Sequence, residues 1–79
     1  MPRFYFDFDD DYGGTTIDTD GEEFASVDAA KREALEALGD AARDFARLGA
    51  EGRLSVRIRD AEGAILEVSA TFETRPIKP

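Results

Sequence analysis

Acidic side chains crowd the first 23 residues: Asp7, Asp9, Asp10, Asp11, Asp18, Asp20, Glu22 and Glu23. Carboxylate oxygens from two neighbouring turns are the ligand type that hard cations such as Ca²⁺ and Mg²⁺ prefer. Asp9, Asp11, Asp18 and Asp20 are therefore the metal candidates. Their spacing departs from a calcium loop, however. With Gly14 on the invariant glycine, Asp9 and Asp11 take ligand positions. Gly13 and Asp20 then stand where a third oxygen side chain and a bidentate glutamate are needed. The preceding segment also reads as a strand, not a helix. Solvated turns and cap residues account for these acids without a metal, so no cofactor is expected. Paired carboxylates for glycoside chemistry could come from the same set, but a small domain offers little room for a sugar cleft.

The rest of the catalytic repertoire is thin. The chain has no histidine and no cysteine. It thus lacks the usual neutral-pH base, the commonest metal ligand and the thiolate nucleophile. No catalytic residue is assigned and no enzyme is expected. With 18 acidic residues against 10 basic ones, the net charge is −8. The basic residues are scattered, whereas phosphate binding needs them clustered. Nucleic acid and anionic membranes are disfavoured as partners; a protein partner fits better.

A second constellation lies on what should be one sheet face. Tyr5, Asp7, Arg57, Arg59, Ile65 and Glu67 are the candidate interaction residues, able to meet an anionic ligand or a protein. The plainer account is a solvated face with cross-strand ion pairs such as Arg57 or Arg59 to Glu67, each worth well under about 1 kcal/mol.

The elements that must position these residues follow from periodicity. Arg3 to Phe8 alternates, with Phe4, Phe6 and Phe8 on one face, as a half-buried strand does. Asp9 to Gly14 reads as a turn, Thr15–Ile17 as a short edge strand, and Asp18–Gly21 as another turn. Ser26 suits a helix N-cap and Asp28 the positive end of its dipole. Val27, Ala30, Ala34, Leu38, Ala41, Phe45 and Leu48 recur at helical steps, giving one apolar face about six turns long. Glu36 and Asp40 are spaced to pair with Arg43 and Arg47. Gly39, mid-helix, is read as a site of close strand approach or a bend. Gly49 and Gly52 are candidate terminators. Leu54, Val56 and Ile58 alternate inward on a third strand. Asp60–Gly63 is a tight hairpin turn, and Leu66, Val68, Ala70 and Phe72 point inward on the return strand.

The predicted fold is α+β: one long helix on a three- to four-stranded, mostly antiparallel sheet, in the order strand, strand, helix, strand, strand. Residues 1–79 form one domain with residues 74–79 as a flexible tail. The core should hold Phe4, Phe6, Phe8, Val27, Ala34, Leu38, Phe45, Leu54, Val56, Ile58, Leu66, Val68 and Phe72. Met1-Pro2-Arg3 leads directly into the first strand without an apolar leader, and no apolar run reaches the ~20 residues of a membrane helix. A cytoplasmic location is expected.

Met1-Pro2-Arg3-Phe4-Tyr5-Phe6 and the segment from Asp20 to Ala30 resemble a family of short bacterial proteins known only as a domain of unknown function. In that family an aromatic strand, an acidic turn, a capped alanine-rich helix and a terminal hairpin follow one another. The resemblance spans the chain and implies this layout and a bacterial origin, but it supplies no site. Relatives often carry histidine where this chain has Asp7. Asp10, Gly13, Gly14 and the Ser26–Ala34 segment are more loosely similar to antitoxins that neutralise messenger-RNA-cleaving toxins, although the proline-rich stretch of that group is missing. The functional expectation is a non-enzymatic protein-binding or regulatory module. An antitoxin-like partner and a divalent-cation binder are the alternatives. Open edges and an open face predict a weak two-fold homodimer through the hairpin edge or that face.

Overall fold

A computed structural model describes residues 1–78. The element order is β1 (Arg3–Asp10), β2 (Thr15–Thr16), β3 (Glu22–Glu23), α1 (Val27–Arg47), β4 (Gly52–Asp60) and β5 (Gly63–Phe72). All pairings are antiparallel, in the order β2-β1-β4-β5, with β3 also on β1. This is the expected α+β layout with one strand more. Glu22–Glu23, which periodicity assigns to no element, pairs with Arg3–Phe4. Asp9 and Asp10, read as turn, continue β1 against Ser55 and Leu54. Of the expected tail, residues 74–78 carry no helix or strand, and position 79 lies outside the described residues.

The helix begins and ends where its caps direct. The Ser26 hydroxyl accepts the Ala29 amide at 3.1 Å. At the other end Gly49, at φ +69°, sends its N–H to Ala46. Ala50 reaches back to Phe45. These are the two bonds of a Schellman motif.

The centre of the core lies between α1 and β4. Phe4, Ala30, Ala34, Leu38, Phe45, Leu54, Val56 and Ile58 are buried. The helix packs on β4 and β5, so Phe6 and Phe8 of β1 are only half-buried. Phe24 covers part of the gap. Its ring meets Phe6 edge-on at 5.7 Å and Phe4 at 6.3 Å. Sequence periodicity did not place Phe24 in the core, because it belongs to no regular element. Conversely, Val27 is exposed, against the expectation that it is core, and so is Leu48. They sit at the two ends of the helix, past the cover that the sheet provides. Leu66, Val68 and Phe72 are half-buried because they lie on the outermost strand.

One helix expectation fails, and one of the two alternatives for Gly39 falls away. The pairs from Glu36 and Asp40 to Arg43 and Arg47 are not among the salt bridges of the described residues, which lie on the sheet and the C-terminal segment. A Cβ on Gly39 would meet nothing within 4 Å, so Gly39 serves no close approach.

Candidate functional site

The sheet face turned away from the helix carries alternate residues of β1, β4 and β5. Cross-strand register sets them in rows. Tyr5 is opposite Arg59, Asp7 opposite Arg57, and Asp9 opposite Ser55. Arg57 in turn faces Glu67, and Ser55 faces Ser69.

The six interaction candidates divide into two groups. Tyr5, Asp7 and Arg59 are drawn into a clasp with the segment between β2 and β3. Arg59 Nε donates to Asp7 Oδ2 at 2.7 Å and its NH2 group donates to the Asp18 carbonyl at 2.6 Å. The Arg59 guanidinium stands 4.7 Å above the Tyr5 ring. Asp7 Oδ1 accepts the Asp18 amide at 3.0 Å. Gly21, at φ +70°, packs so closely that a Cβ there would lie 2.8 Å from the Tyr5 ring and 2.9 Å from the Phe4 carbonyl. Of the two alternatives expected at Glu67, Arg57 is the arginine that pairs with it, and Arg59 pairs with Asp7 instead. Proximity across the ladder favours it, since Asp7 is the diagonal neighbour on β1 while Arg57 occupies the place opposite Glu67.

Electrostatics follow from these contacts. The Arg59 guanidinium, bonded to Asp7, holds that carboxyl below its ordinary value of 3.8, against a desolvation penalty from burial. Amides donated first by Gly21, then by Phe6 and Asp20, lower Asp18 in the same way. Asp7 in turn raises Arg59. These groups are charged, mutually satisfied and structural.

Arg57, Ile65 and Glu67 remain accessible beside β5. Glu67 accepts a hydrogen bond from Arg53 at 2.8 Å and forms an ion pair with Arg57 at 3.5 Å. Between this pair of strands and the β2 hairpin lies a shallow depression of about 100 Å³, bordered by Asp9, Thr15, Ile17, Ser55, Arg57 and Glu67. Ser55 at its floor is buried, opposite Asp9 of β1.

The four metal candidates are not brought together. Asp9 accepts the Thr15 hydroxyl at 3.0 Å, and Asp11 accepts the Arg53 amide at 2.8 Å. Asp18 Oδ1 accepts the amides of Asp20 and Gly21 while its Oδ2 takes Phe6. Among the described residues no three Asp or Glu carboxylates form a metal-holding group. Asp9, Asp11 and Asp18 instead hold a turn or a strand end, as Asp side chains that bond nearby groups do.

One feature had no signal in periodicity. The outer edge of β1 is closed along its length by three different devices. Residues of β3 cover Arg3–Phe4, the Asp18 carboxylate takes the Phe6 amide, and β2 covers Phe8–Asp9. Among the described residues the opposite edge, β5, has no strand on its outer side.

Comparison with known proteins assigns the chain. It belongs to the family described as "Domain of unknown function (DUF6894)", whose model matches residues 3–72. No curated protein and no solved structure matches it. Among the described residues no helix is long and apolar enough to cross a membrane.

Proposed function

We propose that this DUF6894 protein is a non-enzymatic protein-binding module that works by strand addition along β5. The observation that carries this reading is the asymmetry of the two sheet edges. One is sealed by β2, β3 and Asp18. The other exposes a ten-residue strand without proline. An open edge of that length is a template for a further strand. Main-chain bonds would supply affinity. The exposed Arg57, Ile65 and Glu67 beside the edge would supply selectivity. An extended segment of alternating apolar and polar residues is the partner it fits, in the cytoplasm, with neither nucleic acid nor membrane involved.

The cation-binding alternative ranks lower, because it needs Asp11 and Asp18 to release backbone amides that they already hold. The antitoxin-like alternative has only Asp10, Gly13, Gly14 and the Ser26–Ala34 segment in its favour. The test is affinity capture with two baits, Ser69→Pro and Leu48→Ala, against wild type. Partners lost by the first and kept by the second support strand addition at β5. Partners indifferent to Ser69→Pro would refute it.

A further inference from the structure

The directions of the β5 backbone groups can be fixed from the opposite side of the sheet. The Phe6 amide points outward from β1, to Asp18. Antiparallel ladders alternate, so Ser55 and Arg57 exchange bonds with β1. Leu54 and Val56 exchange bonds with Ala70 and Val68. The N–H and C=O groups of Glu67, Ser69 and Thr71 therefore face away from β4, toward a side where no strand lies among the described residues. The helix-side residues of β5 are also incompletely covered. Val56 and Ile58 on β4 are fully buried, whereas their partners Val68 and Leu66 are only half-buried.

We propose that a second copy of this chain occupies this edge, through antiparallel two-fold pairing of β5 centred on Ser69. The proposal rests on the reading of β5 as the binding edge and names its occupant. The register follows from two constraints. A bulge opposite Ile58 and Arg59 interrupts the ladder, leaving Leu66–Phe72 as the regular run, and Ser69 is its midpoint. An axis at Ser69 sets Glu67 beside Thr71 of the second copy. It also places Val68 beside Ala70 and Leu66 beside Phe72, extending the apolar row. An axis at Ala70 would oppose Glu67 and Glu73, like charges that destabilise a sheet pair. An axis at Val68 would run into the bulge. Three hydrogen-bonded residue pairs and a short apolar row make a small interface, well below the ~1,600 Å² of a standard one. With −8 on each copy, long-range repulsion opposes association, so added salt should strengthen it.

The chain has no cysteine, so a single introduced thiol reports the axis. Across the proposed axis the two position-69 Cα atoms lie about 5.5 Å apart, inside disulfide range. Position 71 lies about 14 Å from its own mate, too far to bridge. Under mild oxidation Ser69→Cys should form covalent dimers at least tenfold faster than Thr71→Cys. Equal rates, or faster linking at position 71, would overturn the register. Light scattering of the wild type up to about 1 mM should show dimer mass rising with salt, as a small interface between like-charged copies requires. Ser69→Pro loses only an outward-facing N–H, and Ser69→Lys sets like charges on the axis. Both should remain monomeric while keeping the fold. A wild-type monomer at high salt, with fast-exchanging amides at Glu67, Ser69 and Thr71, overturns self-pairing but leaves the edge free for another protein. Slow exchange of those amides in a monomer would overturn both readings.

Discussion

Asp18 Oδ2 accepts the Phe6 amide at 3.1 Å, in the gap that β2 and β3 leave along the edge of β1. A side chain thereby completes what a strand would otherwise do. The same carboxylate holds the Asp20 and Gly21 amides, so one residue both shapes the turn and seals the edge. Asp18→Ala should cost about 1–3 kcal/mol, the range for a half-buried donor left without its acceptor. Urea melts would measure the loss. Hydrogen exchange should find the Phe6 amide newly exposed while Leu54 and Val56 stay protected. Unchanged stability would mean water replaces Asp18 at no cost.

Gly21 has a narrower tolerance. Its φ of +70° and the contacts with the Tyr5 ring and Phe4 carbonyl leave no space for a side chain. Gly21→Ala should destabilise by at least about 1–2 kcal/mol from backbone conformation alone. The Arg59–Tyr5 stacking should loosen as well, visible as a shift in Tyr5 ring resonances.

Gly39 should respond in the opposite direction. It lies inside α1 with open space where a Cβ would go. Gly39→Ala should stabilise the protein by about 1 kcal/mol through helix propensity. A lower melting temperature would reveal a packing role for the bare backbone.

Acid should weaken the clasp. Asp7 and Asp18 both have folded-state values below 3.8, so their protons bind more tightly in the unfolded chain. The stability they contribute is present above the ordinary carboxylate value and lost as pH falls from there through the depressed folded values. Unfolding free energy followed from pH 5 downward, a range set by the ~3.9 of a free Asp, should fall more steeply for wild type than for Asp7→Asn. Parallel curves would mean that the Asp7–Arg59 pair contributes nothing specific.

Ile58 is fully buried and Val27 exposed. Ile58→Ala should cost about 2–5 kcal/mol, and Val27→Ala less than about 0.5 kcal/mol, as surface substitutions do. Comparable losses would place the helix N-terminus deeper than it lies here.

The sequence by itself determined the elements that local rules govern. Alternation in Arg3–Phe8, Leu54–Ile58 and Leu66–Phe72 marks three strands. Ser26 and Gly49 bound the helix through bonds made within a few residues. Arg57, Ile65 and Glu67 were also legible as accessible face residues, because strand periodicity assigns faces. What only the tertiary structure decided depends on partners far apart in the chain. Arg59 meets Asp7 across 52 positions, and Phe6 meets Asp18 across 12. No local pattern ranks Asp18 above its seven acidic neighbours, since its role arises from an uncovered amide on another strand. Phe24 reaches the core from an irregular segment, while Val27 and Leu48 continue the helical stripe beyond the sheet that would cover them. Which edge is sealed and which is open is likewise a property of strand order, and it is on the open edge that the functional reading depends.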